Sequence, residues 1–212
     1  MDQLIDGEPG AETTYLMAHG AGAPMDAVWM TDVAALVVSR GIRVVRFEFS
    51  YMAGRRDGVR KPPPRGDSLT GEFRDAVALA SDVLPAGGRL LIGGKSMGGR
   101  VASLVADELL DAGVIAGLAV LSYPFHPAEK PEQLRTAHLA ELRTPTLICQ
   151  GTRDPLGSRE EVAGYSLSPA IELHWLEDGD HDLRPRKAVS GRTLAQNLAE
   201  AADALAAFAG AC

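Results

Sequence analysis

The chain has 212 residues, 46% of them hydrophobic, and a formal net charge of −7, which is enough for one domain, 1–212, and short for two. The acidic balance, with a pI near 5.2, argues against a nucleic-acid-binding protein, and no run approaches the roughly 20 apolar residues that span a bilayer. With only Cys149 and Cys212 and a polar, acidic start unlike a secretory signal, no disulfide framework is expected, and the chain reads as a soluble cytoplasmic protein.

In chain order, a polar start runs to about Glu12. Residues 15–18 read as a short buried strand that opens onto His19-Gly20-Ala21-Gly22-Ala23-Pro24. Met30, Val33, Ala34 and Val37 then recur at helical spacing, Gly41 closes that helix, and a strand over 42–47 follows. A dinucleotide-binding reading of Gly20-Ala21-Gly22 fits poorly, because Met25 stands where a small residue must let helix and strand pack closely. From 49 to 67 there is no apolar period. Pro62-Pro63-Pro64 and the cations Arg55, Arg56, Arg60, Lys61 and Arg65 predict a long surface loop there, and loops of such length are often functional. Phe73, Ala76, Val77, Ala80 and Leu84 make the next helix face.

Leu90-Leu91-Ile92 then enters Gly93-Gly94-Lys95-Ser96-Met97-Gly98-Gly99, and Val101, Leu104, Val105 and Leu109 leave it at helical spacing. The heptapeptide therefore sits on a strand-to-helix turn. Gly94-Lys95-Ser96-Met97-Gly98 fits G-x-S-x-G, the nucleophile elbow, in which a strained turn lifts the serine hydroxyl above the sheet edge. Glycine flanks the serine because a Cβ would collide with the neighbouring strand and helix. The free amides of the helix that follows, Met97 included, point to where negative charge would develop on a substrate oxygen. A phosphate-binding loop would need glycine at position 89, which is Arg89. A structural turn with a capping serine is the other reading that the pentapeptide by itself leaves open.

Beyond the elbow the pattern predicts a strand over 115–121, an irregular Tyr123-Pro124-Phe125-His126-Pro127 segment and a weak helix over 131–142. A strand over 146–149 opens onto Gly151-Thr152-Arg153-Asp154-Pro155. A short helix over 159–165, a strand over 171–176 and Asp178-Gly179-Asp180-His181 follow, and Leu194, Leu198, Ala201 and Leu205 define a closing amphipathic helix. Alternating strands and helices imply a mostly parallel sheet covered on both faces, with ligands at the carboxyl ends of the strands. Ser96, Asp154, His181 and the loop at His19 each follow a strand, so all four fall on one rim.

A serine hydroxyl becomes a useful nucleophile when a base lies within hydrogen-bond reach and an acid fixes that base's tautomer. The order Ser96, Asp154, His181 is the order of one fold class, and here the sequence resembles the α/β-hydrolase superfamily, from Tyr15 onward. More narrowly, Ala18-His19-Gly20-Ala21-Gly22-Ala23-Pro24-Met25, Gly94-Lys95-Ser96-Met97-Gly98-Gly99-Arg100, Leu121-Ser122-Tyr123-Pro124, Gln150-Gly151-Thr152-Arg153-Asp154-Pro155 and Gly179-Asp180-His181 resemble a small, capless family akin to dienelactone hydrolases. That family also includes testis-expressed-protein-30-like predicted hydrolases and a domain of a chromatin acetyltransferase-complex subunit.

The resemblance implies an α/β-hydrolase fold of about six parallel strands flanked by at most one extra, with helices on both faces. The stretch between Leu121 and Thr146 is too short for a helical lid, so an open site for small substrates is expected. Ser96 would be the nucleophile, His181 the general base and then acid, and Asp154 the residue that orients His181, with Asp178 and Asp180 as nearby alternatives. Backbone amides of Met97 and Ala21 would form the oxyanion hole, with Gly22 possible in place of Ala21. His19 would fix its loop, His126 would line the pocket, and His138 and His174 have packing or surface roles. No cofactor and no metal are expected.

The rim loops collect Arg55, Arg56, Arg60, Lys61, Lys95, Arg153, Arg184, Arg186 and Lys187, interleaved with Asp57, Asp178, Asp180 and Asp182. This is either a patch for an anionic substrate, with Arg55 and Arg56 as contacts, or a self-neutralising face. The expected function is a serine hydrolase acting on a small carboxylic ester or thioester, with neither nucleic-acid nor membrane partners. The alternative is a non-catalytic interaction module that keeps the fold.

Overall fold

The computed structural model describes residues 1–59 and 61–212; Arg60, one of the expected rim cations, lies outside them. Seven strands form one sheet in the order β1-β3-β2-β4-β5-β6-β7. They are β1 Gln3–Asp6, β2 Thr13–Ala18, β3 Arg43–Phe47, β4 Arg89–Lys95, β5 Gly117–Leu121, β6 Thr146–Gly151 and β7 Ile171–Leu176. Six run parallel, and β1 pairs antiparallel with β3 at the edge. This is the α/β-hydrolase fold expected above.

The alternation of strand side chains explains why both faces are covered. Leu16, Ala18, Val45, Phe47, Leu90, Ile92, Leu118, Val120 and Ile148 belong to one core cluster, while their immediate neighbours Tyr15, Met17, Val44, Leu91, Ala119, Leu121, Leu147 and Cys149 belong to another. Both sets are apolar, so the inner strands β2 to β6 must be roofed on both sides, while the edge strands β1 and β7 are only partly buried. Helices α1 (Val28–Val38) and α8 (Leu194–Ala211) pack together over the second face. Helices α2 (Ser50–Arg56), α3 (Thr70–Ser81), α4 (Met97–Ser103) and α5 (Ala106–Asp111) supply the first. Two short helices, α6 (Arg159–Val162) and α7 (Lys187–Ser190), decorate the rim loops. Among the described residues no helix is long and apolar enough to cross a membrane.

Three local expectations are corrected. Part of the 49–67 loop is helical: Tyr51 and Met52 are buried, and the Glu72 carboxylate accepts from the Ser50 N–H (2.6 Å) and Oγ–H (2.8 Å), closing the start of α2 from a distant helix. The expected helix over 131–142 shrinks to a 3-10 turn, Ala137–Ala140. Backbone groups there are taken by tertiary partners, with Arg135 N–H donating to Phe125 O (2.7 Å) and Leu139 O accepting from Ser168 N–H (2.9 Å). The helix after Ser96 is broken into α4 and α5 where Leu104 and Val105 donate to Val101 and Ala102, a tightened three-residue spacing.

Candidate active site

Ser96 stands between β4 and α4 with φ 50° and ψ −116°, a conformation that an L-residue avoids and that costs about 1–3 kcal/mol. The surrounding backbone holds it there. Ser96 N–H donates to Leu121 O (3.0 Å), and Ser96 O accepts from Arg100 N–H (2.9 Å). Close approach also requires the flanking glycines: a Cβ on Gly94 would lie 2.2 Å from Ala18 O, and one on Gly98 would lie 2.6 Å from His19 O. The N–H groups of Met97, Ala21 and Gly22 donate to no other atom among the described residues, so the alternative donors Ala21 and Gly22 are equally free.

Two further rim loops reach Ser96. His181 follows β7, and its Nε2 lies 2.8 Å from Ser96 Oγ, while its Nδ1 lies 2.8 Å from Asp154 Oδ2 in the loop after β6. A carboxylate can only accept, so Nδ1 carries the proton and Nε2 is the acceptor for the Ser96 hydroxyl. Asp154 is fully buried, and its position is fixed by Leu156 N–H to Oδ1 (2.8 Å) and Gln150 Nε2–H to Oδ2 (3.0 Å). The alternative acids are engaged elsewhere. Asp178 is bound by Arg186, which holds its carboxyl below the usual range, and Asp180 accepts from the amides of Asp182 and Arg184.

The loop after β2 is braced from behind. Buried His19 donates from Nδ1 to Gly20 O (2.7 Å) and accepts from Phe49 N–H at Nε2 (3.2 Å), and burial pushes its pKa down. Tyr51 Oη–H donates to Ala21 O (3.1 Å). The peptide that carries the Ala21 N–H is thereby held at the Gly20 carbonyl by His19, and the next peptide, which carries the Gly22 N–H, is held at the Ala21 carbonyl by Tyr51.

Lys95, the variable residue before the serine, has a role that the motif does not signal. Its Nζ donates to His181 O (2.8 Å), pairs with Asp182 (2.8 Å) and lies 4.8 Å from the Trp29 ring centroid. Trp29 Nε1–H in turn donates to Asp182 O (2.9 Å). Burial would raise the Asp182 carboxyl, but Lys95 outweighs it and the net shift is downward. Together β4 and α1 strap the 181–182 segment over the serine.

Ser96 lies between two cavities. One, of about 470 Å³, is lined by the small residues of the 20–23 loop, by Ala27, Trp29 and Met30, and by Lys95, His181 and Asp182. The other, of about 640 Å³, runs past Met97 to Pro63, Pro64, Arg65, Asp67, Arg100 and Arg135. Ala21 and Leu156 border both, and Gly22 borders the first.

Several expected contacts stand outside these cavities. Arg56 is taken by Glu48 (2.5 Å) and Asp26 (2.9 Å). Burial would raise Glu48, yet Arg56 holds it below the ordinary carboxylate range. Arg55 lies 5.6 Å from the Tyr51 ring centroid, donates to Lys61 O and lines neither cavity. His126 is 1% exposed, with Nδ1 against Pro127 O (3.0 Å) and Nε2 3.5 Å from Glu161, so its neighbours Pro124 and Pro127 line the second cavity instead. Arg153 pairs with Asp178 and Asp180, so with Arg186 and Lys95 much of the rim charge is internally neutralised. Of the remaining histidines, His138 Nε2–H donates to Ser103 Oγ (2.8 Å) at the end of α4, and His174 lies 3.3 Å from Glu200. Among the described residues no group of three or more His, Cys, Asp or Glu side chains is arranged to hold a metal ion.

The sequence profile of the "Alpha/beta hydrolase domain" family matches residues 11–210. An alpha-beta serine hydrolase homologue from Coxiella burnetii is similar in structure, with TM-score 0.69 and 19% identity over 97% of this chain and 89% of that one. A serine hydrolase without lid from Xanthomonas campestris gives TM-score 0.69 and 19% identity over 96% and 88%. Dienelactone hydrolase from Anabaena variabilis gives TM-score 0.66 and 20% identity over 93% and 88%.

Proposed function

We propose that this chain, which belongs to the alpha/beta hydrolase domain family, is a serine hydrolase that cleaves small carboxylic esters or thioesters through an acyl-enzyme. The observation that carries this reading is the unbroken run of hydrogen bonds Asp154–His181–Ser96 ending on a serine in a strained turn. In the reaction, His181 Nε2 takes the hydroxyl proton as Ser96 Oγ attacks the carbonyl carbon, and Asp154 stabilises the imidazolium at Nδ1. The tetrahedral oxyanion is held by the Met97 and Ala21 amides, the free donors that flank Ser96. His181 then returns the proton to the leaving oxygen or sulfur as the bond to it breaks. Water, deprotonated by the same nitrogen, attacks the acyl-enzyme and releases the acid and Ser96.

The test is labelling of the purified protein with a fluorophosphonate, followed by turnover of short-chain p-nitrophenyl esters. Wild type is expected to label and Ser96→Ala to stay unlabelled. Folded wild type that does not label would overturn the assembled site and favour a non-catalytic interaction module.

Lys95 acts through His181, as a positioning residue. Lys95→Met removes a charged donor from the His181 carbonyl, an interaction of about 1.5–3 kcal/mol in general, and part of that loss falls on His181 alignment. The expected result is a fall of about tenfold in kcat with a smaller change in KM, partly restored in Lys95→Arg. A change confined to thermal stability would deny Lys95 this role.

A further inference from the structure

The second cavity carries charge that the chain leaves unused. It is lined by three guanidinium groups, those of Arg65, Arg100 and Arg135, against a single carboxylate, Asp67. That carboxylate is committed to Arg100 Nη2 (2.9 Å). Arg135 is half-buried, and its side chain has neither an ion pair nor a hydrogen bond among the described residues. Its backbone, by contrast, is fixed at both ends, with N–H donating to Phe125 O (2.7 Å) and O accepting from Tyr123 Oη–H (3.0 Å). Burial, and then the neighbouring Arg100, lower the Arg135 pKa, which is the mark of a cation short of a counter-charge. A pinned, partly desolvated and unpaired arginine normally costs stability unless something binds it.

The direction of the reaction assigns the two cavities. His181 lines the first cavity and not the second, and it must deliver its proton to the leaving group, so the leaving group occupies the first. The acyl chain then extends past Met97 into the second. Resting on the serine-hydrolase reading above, we propose that the Arg135 cavity is an acyl-side anion subsite, and that the preferred substrates are esters or thioesters whose acyl chain ends in a carboxylate. Arg135 supplies the planar fork that a carboxylate accepts, and Arg65 adds an exposed charge at the mouth. Pro63 and Pro64 form a stiff wall, since their φ is locked. The apolar first cavity suits a small, uncharged leaving group. Its one ion pair, Lys95 with Asp182, is closed on itself.

The experiment compares three esters of similar length. They are monoethyl adipate, ethyl hexanoate, which lacks the acid, and the hexanoate ester of 4-hydroxybutanoic acid, which carries the acid on the leaving side. The expected order of kcat/KM puts monoethyl adipate first, about tenfold or more above the others, and the margin narrows as salt is raised. Arg135→Met, and Arg135→Gln as a second variant, should each cut the adipate-to-hexanoate ratio by about tenfold. Calorimetric titration of Ser96→Ala with monoethyl adipate reads the subsite without turnover, and Arg135→Met on that background should weaken binding by a similar factor. A ratio that survives loss of Arg135, or a preference for the acid on the leaving side, would overturn the proposal. Failure of all three esters to turn over, with adipate binding intact and dependent on Arg135, would count against the hydrolase reading while keeping the anion subsite.

Discussion

His181→Gln is expected to lower kcat/KM for the best short-chain ester on the order of 10⁵–10⁶-fold, the scale seen when the base of a serine hydrolase is removed. Glutamine can still donate a hydrogen bond toward Asp154, so the local packing has a partner. What it cannot do is accept a proton near neutrality. With Nε2 gone from its 2.8 Å contact, Ser96 is left as an ordinary hydroxyl and the leaving group departs unprotonated. Ser96→Ala should cost about as much, and the double variant no more than either alone, because the two groups act as one unit. On the proposed reading, the residual rate over water would belong to the Met97 and Ala21 amides, which neither change touches. Steady-state kinetics on the three variants, with circular dichroism to confirm folding, decides the matter. A fall of tenfold or less in His181→Gln, or strictly multiplicative losses in the double variant, would show that His181 is not the base.

How much of this was legible in the sequence depends on which interactions are local. The inner strands could be read because they are covered on both faces and each is a short apolar run with a glycine or polar stop, whereas β1, Gln3–Asp6, is hidden in the polar start because an edge strand needs no such run. Residues 171–176 coincide with β7, an edge strand whose Ile171, Leu173 and Trp175 alternate with Glu172 and His174. The placement of Ser96, Asp154 and His181 on one rim follows from parallel connectivity alone. What could not be read is held by side chains far apart in the chain. Arg56 looked like a free rim cation, but its Asp26 partner is 30 residues away and Glu48 closes the third corner. Ser50–Arg56 becomes helical because Glu72 caps it and Tyr51 and Met52 find the core, neither of which has a period to detect. Lys95 sits at a position the motif leaves free, and its partners lie in the β7 loop and in α1. Arg135 lies in a segment that resembled a weak helix, where its value as a cation depends on Phe125 and Tyr123 fixing its backbone.

Asp154→Asn should reduce kcat by about 10⁴-fold, on the precedent that an amide at this position selects the wrong imidazole tautomer. The geometry here explains why neither orientation of the amide escapes. If asparagine keeps its oxygen where Oδ1 accepts from Leu156 N–H (2.8 Å), its NH₂ faces His181 Nδ1 and Gln150 Nε2. His181 must then accept at Nδ1, which moves its proton to Nε2 and turns a donor toward Ser96. Gln150 would also have to rotate, but its NH₂ is the donor to Tyr123 O (3.2 Å) and Gly157 O (3.1 Å), so an oxygen there would meet two others. If asparagine flips instead, its NH₂ opposes the Leu156 N–H, and a buried donor is orphaned at a cost of about 1–3 kcal/mol. The first arrangement loses the base and the second loses stability, so the variant should show both a large fall in kcat and a lowered Tm, with KM nearly constant. Asp178→Asn is the comparison that separates Asp154 from its sequence neighbours. It lies on Arg186 rather than on His181, and should lower Tm with little effect on kcat. Equal losses of kcat in the two variants would remove the distinction on which Asp154 is assigned.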